Sequence, residues 1–278
     1  MAKTVLITGS SSGIGLALAL EYQRQGCKVI ATSRHTEPLQ SLINERFYVF
    51  KLDVTEQQSI DNIFQTLQKE NLFPDIIINN AGFGLMGPAA ELTDAEIKAQ
   101  FETNFFSLLR MIRTFMPWMC EKGKGMFINM GSISGIAPIP FSGIYSASKA
   151  AVHAVSDSLR MELAPFNIHV VIVQPGGIVS NFGNVANKKT EQVLLENSKY
   201  LKIEDKLLER GTISQVGATP TEIFARKVVK KSLRKNPPSV IRTGHRSFTL
   251  PFMKRCLPTW WFDNIMKKHF GLKYLTKK

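Results

Sequence analysis

Short, fully apolar runs alternate along the chain with longer stretches in which apolar residues recur every three or four positions. The first pattern predicts strands over residues 5–8, 28–33, 48–52, 75–79, 126–130 and 170–174, and the second predicts helices over 14–25, 38–44, 57–70, 94–120 and 145–164. Runs such as Ile76-Ile77-Ile78 and Val170-Val171-Ile172-Val173 leave no polar face, as expected of strands covered on both sides in a parallel sheet. The repeated strand-helix-strand order predicts an α/β fold, a Rossmann-type doubly wound parallel sheet. No repeat, low-complexity tract or linker interrupts it before about residue 180. Beyond that point residues 181–218 are polar and weakly periodic, followed by a basic helix over 221–235, a strand over 240–242 and a tail rich in Trp and Phe. The expected organisation is one domain over residues 1–250, with a substrate loop at 181–219, and a basic amphipathic segment over 251–278.

Composition changes this picture little: of 278 residues, 44% are hydrophobic and 21% charged, and no apolar run reaches the roughly 18 residues of a membrane span. Met1-Ala2-Lys3 leads straight into the first apolar run, leaving no room for a secretory signal, so a cytoplasmic protein is expected. Cys27, Cys120 and Cys256 have no companion at ligand spacing, which predicts buried, unreactive thiols rather than disulfides or zinc. None of the five histidines has a partner pattern, and no metal is expected. Charge is placed unevenly: of the net +13, the last 56 residues hold fifteen Lys or Arg against one acid, Asp263, and the rest is close to neutral.

Candidate chemistry begins where the first strand ends. Gly9-Ser10-Ser11-Ser12-Gly13-Ile14-Gly15 leaves that strand and opens a helix, where backbone amides and the helix dipole favour a pyrophosphate, although three glycines also suit an ordinary turn. At the end of the second strand, where a carboxylate would meet a ribose 2′-hydroxyl, stand Ser33 and Arg34, which favours a 2′-phosphate and hence NADP(H). Tyr145 and Lys149, four apart in a helical stretch, share a face, and a neighbouring ammonium draws a phenol towards ionisation. Ser132 follows the strand 126–130, Asn79-Asn80-Ala81-Gly82 ends another, and Asn104 lies within a helix, where Asn is locally unfavourable.

The ordered set Thr8-Gly9-x-x-x-Gly13-x-Gly15, Asn79-Asn80-Ala81-Gly82, Asn104, Ser132, Tyr145-x-x-x-Lys149 and Pro175-Gly176 resembles the short-chain dehydrogenase/reductase superfamily in its compact single-domain branch, over about residues 3–182. The resemblance implies Tyr145 as catalytic acid or base and Ser132 as holder of the substrate oxygen. It implies that Lys149 binds the nicotinamide ribose and tunes Tyr145, and that Asn104 holds a water in the proton path. It further implies cofactor contacts at Ser11, Ser12, Ile14, Asn80, Ala81, Gly82, Pro175, Gly176, Ile178 and Ser180, the last in the place of a usual Thr, and Asp53-Val54 on the adenine side. Helix-mediated homodimers or homotetramers are also implied.

The expected substrate is a small apolar aldehyde or ketone, or its alcohol, because the segments expected to form the pocket, Phe83, Leu85, Met86, residues 136–141 and those beyond 182, are mostly apolar. Two other readings stay open: an NADP(H)-binding regulator or scaffold using the basic tail as its contact, and an epimerase or dehydratase acting on a nucleotide sugar. The tail sets Trp260, Trp261, Phe262, Ile265 and Met266 towards lipid and Lys267 and Lys268 towards anionic headgroups, or else forms a lid or dimer contact over the pocket. No nucleic-acid recognition module is present.

Overall fold

The computed structural model describes residues 2–179, 198–207 and 215–275. Seven parallel strands form one sheet: β1 (Thr4–Thr8), β2 (Lys28–Ser33), β3 (Phe47–Lys51), β4 (Ile76–Asn79), β5 (Gly125–Met130), β6 (Ile168–Pro175) and β7 (Val240–Thr243). Their spatial order is β3-β2-β1-β4-β5-β6-β7, so the chain reverses direction across the sheet between β1 and β4. The consecutive apolar residues serve two faces at once. Val5, Ile7, Ile76, Ile78, Met126 and Ile128 pack with helix α1 (Gly13–Arg24) and with the basic helix Thr221–Ser232. Leu6, Ile77 and Phe127 point the other way, against α2 (Gln57–Lys69), α4 (Ser107–Glu121) and α5 (Gly143–Glu162). The alternation of period two within an all-apolar run is what a doubly covered sheet requires.

Two local expectations are corrected, and the tail gains detail. Residues 37–42 form a 3₁₀ turn with Pro38 in its first positions, not an α-helix. The helix expected over 94–120 is α3 (Asp94–Phe101), closed at its start by a Thr93–Glu96 capping box, then a π turn over Glu102–Phe106, then α4. The aromatic tail is two helices, Thr249–Cys256 and Thr259–His269, because Pro258 between them lacks the amide needed to continue the first. Within that tail Phe262 is buried and Met266 faces the protein rather than solvent. The thiols also differ from expectation: Cys27 is buried and its pKa is raised mainly by that burial, but Cys120 is half-buried and Cys256 exposed.

Candidate active site

A cleft of about 880 Å³ runs along the carboxyl ends of β1, β2, β4, β5 and β6, across the point where strand order reverses. Open α/β sheets leave their ligand crevice there, because the helices on either side of the reversal depart in opposite directions. A second recess of about 190 Å³, beside Arg160, Ile168 and Ser239, carries none of the groups considered so far.

At one end of the cleft lies the glycine turn. Gly9 has φ +67°, and a Cβ built on Gly15 would stand 2.2 Å from the Gly9 carbonyl oxygen, so helix α1 meets the turn only because Gly15 has no side chain. Ser12 begins α1 but makes no side-chain cap, and no acidic residue occupies the first turn, which leaves the leading amides facing the cleft without an internal anion. Ser11, Ser12, Gly13 and Ile14 all line the cleft. The Asn80 carboxamide fixes the turn from the neighbouring strand, donating to the carbonyls of Thr8 (2.8 Å) and Gly9 (3.1 Å), while the Asn80 and Ala81 amides donate to Thr8 Oγ1. Exposed Arg34 lines the cleft with Asp53 and Val54. Burial raises the Asp53 pKa, but two hydrogen bonds from Thr55 and the Arg34 charge outweigh it, and the carboxyl is held below its ordinary value.

Ser132, Tyr145 and Lys149 line the same cleft. All three are buried. The Lys149 ammonium lies 6.0 Å from the Tyr145 ring centroid and donates to the Met130 carbonyl at 2.7 Å. Burial pulls its pKa down to about 8, so it stays mostly charged at neutral pH. Ser132 Oγ accepts the Ser134 amide at 3.1 Å, which leaves its own hydroxyl proton to donate.

Asn104 occupies the π turn and is buried. Its carboxamide donates to the Phe83 carbonyl (3.0 Å) and Ser148 Oγ (3.2 Å) and accepts the Phe83 amide (3.1 Å). Both donors and one of two lone pairs are therefore engaged within the protein, and the side chain pins the Phe83 loop to α5. Gly82 sits close by: a Cβ there would lie 2.9 Å from Asn104 Oδ1. Pro175, Gly176 and Ile178 line the cleft after β6, whereas Ser180 lies outside the described residues.

Three groups of residues are not evident from sequence patterns. His153, two turns beyond Tyr145 on α5, accepts the Ser132 amide on Nε2 at 3.3 Å. Burial and then the Lys149 charge hold its pKa down to about 4, so it is neutral with Nε2 as acceptor. Ser148, within the Tyr145 to Lys149 interval, links α5 to Asn104 and donates to the Tyr145 carbonyl at 2.7 Å. The outer wall is the third: Leu250, Met253, Ile265, Met266, His269 and Phe270 join Phe83, Met86 and Ile139 around the apolar end. Leu85, expected on this wall, is instead buried, its amide held by Gln100.

Fold and site together define an α/β protein with a ligand crevice at the sheet's reversal point and a buried Ser-Tyr-Lys cluster in it. The family model for short chain dehydrogenases matches residues 3–191. The chain belongs to the short-chain dehydrogenase/reductase family, and the family is one of oxidoreductases. It is 36% identical to the 3-ketodihydrosphingosine reductase of Bacteroides thetaiotaomicron, with 97% of each chain covered. It is 31% identical to the NADPH-dependent 1-acyldihydroxyacetone phosphate reductase of Saccharomyces cerevisiae, over 97% of this chain and 92% of that one. The crystal structure of a short-chain dehydrogenase from Streptomyces avermitilis matches the fold with a TM-score of 0.81 at 27% identity, covering all of both chains.

Proposed function

We propose that this protein is an NADP(H)-dependent reductase of a hydrophobic ketone or aldehyde, the reverse reaction being alcohol oxidation. The observation that carries this reading is the convergence of Ser132, Tyr145 and Lys149 on one cleft with the glycine turn and Arg34. The residues fit a dinucleotide: the Gly9–Gly15 turn and the free α1 amides suit a pyrophosphate, Arg34 a 2′-phosphate, Asp53 and Val54 the adenine side, and Asn80, Ala81, Gly82, Lys149, Pro175, Gly176 and Ile178 the nicotinamide half. When bound, the nicotinamide supplies the hydride donor or acceptor.

The chain's own groups handle the oxygen. Ser132 donates a hydrogen bond to the carbonyl oxygen and keeps its proton, and Tyr145 transfers the one proton that completes the alcohol, or removes it in reverse. The Lys149 ammonium, 6.0 Å from the Tyr145 ring centroid, would stabilise the negative charge that develops on the phenol oxygen as its proton leaves. Asn104 retains one lone pair on Oδ1 with which to hold a water that returns the proton from solvent.

The apolar end of the cleft supports a long, uncharged chain on the substrate. The names of the two relatives described above, each a reductase of a lipid ketone, support the same class. The test is NADPH oxidation with a series of long-chain ketones and aldehydes. Tyr145→Phe should lower turnover by about 10²–10⁴-fold with NADPH affinity, read by fluorescence titration, within a few fold of wild type. Turnover of Tyr145→Phe close to wild type with a good substrate rejects the assignment.

A further inference from the structure

We propose that the outer face of the helix pair Thr249–Cys256 and Thr259–His269 docks the protein on an anionic phospholipid bilayer, with the mouth of the cleft against the lipid. Four large apolar side chains on this pair point into solvent: Phe252 (68% exposed), Trp260 (62%), Trp261 (50%) and Ile265 (42%). They stand among Lys254, Arg255, Lys267 and Lys268, against a single acid, Asp263. Among the described residues, Arg255, Lys267 and Lys268 are in no ion pair with a carboxylate. Cations around exposed indole rings are what a negatively charged lipid interface attracts and what an aqueous surface does not reward.

The inner face of the same helices faces the cleft. Phe262, Met266 and Phe270, four apart, turn inwards, where Met266 and Phe270 pack with Phe141, Ile203 and Leu207. Met253 and Met266 line the cleft, and Ile265 both lines it and reaches solvent, so the rim of the cleft is continuous with the exposed apolar face. A lipid carbonyl would thus pass from bilayer to cleft without crossing water. That delivery rests on the function proposed above, whereas the docking itself does not.

The test uses the full chain with vesicles of phosphatidylcholine alone or with added phosphatidylglycerol, read by co-sedimentation and tryptophan emission. The protein has three tryptophans, and the third, Trp118, is already stacked on Phe73 at 4.3 Å between centroids, so a blue shift reports Trp260 and Trp261. Partition should rise with phosphatidylglycerol and fall with salt, and Trp260→Ser/Trp261→Ser should abolish the shift. Lys267→Gln/Lys268→Gln should lower partition about 30-fold at low ionic strength, from about 1 kcal/mol per cation at the surface. Both double variants should reduce a water-soluble aldehyde in vesicle-free buffer at the wild-type rate but lose activity on a long-chain ketone held in anionic vesicles. Equal partition on both vesicle types overturns the proposal, as does a wild-type dimer that dissociates in Trp260→Ser/Trp261→Ser without any vesicle binding, which would assign the face to a second copy. Intact vesicle binding with no NADPH oxidation on any carbonyl would instead reject the proposed function and leave the docking standing.

Discussion

Ser132 is held from behind by an imidazole. His153 takes the Ser132 amide on Nε2, and its own protonation is opposed by burial and by the Lys149 and Arg242 charges, against a smaller pull from Asp157. Because its folded pKa, about 4, lies below the ordinary 6.5, the unfolded chain takes up a proton as pH falls through that window while the folded chain does not. Stability is therefore complete above pH 6.5 and is lost as pH falls towards 4, by up to about 3 kcal/mol at 1.36 kcal/mol per pKa unit. Urea midpoints measured across that window should show a shallower pH slope in His153→Asn than in wild type. The same variant should lower kcat about tenfold through the freed Ser132 amide, with the KM for NADPH unchanged. At the opposite end of the cleft, Arg34 decides between cofactors. Arg34→Ser should raise the KM for NADPH by about ten- to a hundredfold, the worth of a charged hydrogen bond, and leave that for NADH nearly unchanged; equal changes for both cofactors would remove Arg34 from the 2′-phosphate site.

Among the elements, the π turn at Glu102–Phe106 has the clearest consequence. A regular helix would carry Asn104 as an unfavourable residue, whereas the turn seats it beneath the Phe83 loop with three hydrogen bonds, and Ser107 donates its hydroxyl to the Thr103 carbonyl at 2.6 Å. Asn104→Ala removes these three side-chain hydrogen bonds, while Gln100 Nε2 still donates to the Phe83 carbonyl at 2.9 Å, and should cost about 2–4 kcal/mol, at about 0.5–1.5 for each bond lost, read as a fall in the urea midpoint at constant slope. The strands are legible in the chain because parallel strands covered on both faces are apolar at successive positions, as at Ile76, Ile77 and Ile78 of β4 and at Val170, Val171, Ile172 and Val173 of β6. The π turn is not, since its apolar spacing continues that of the flanking helices and only the isolated Asn104 marks the place.

On the scale of the whole molecule, the cleft has two walls of different origin. The sheet edge and its loops build the dinucleotide end, and the helices beyond residue 248 close the apolar end. The two main core clusters contain no residue beyond Ile241, so truncation before Thr249 should leave a folded, NADPH-binding protein that no longer favours long-chain over short-chain carbonyls. Fluorescence titration and KM values across a chain-length series test this; retained chain-length preference would place the apolar wall elsewhere. The sequence by itself determined the strands, their two covered faces, the glycine turn and the Tyr145–Lys149 pair, because these depend on periodicity and on short spacings within one turn or helix, whereas the role of Ser132 came from the family resemblance. Only the tertiary structure decided that His153 backs Ser132, that Ser148 joins Asn104 to α5, and that the basic tail turns Phe262 and Met266 inwards over the cleft. Those contacts join residues far apart in the chain, and their strength comes from shared burial, which no local pattern records.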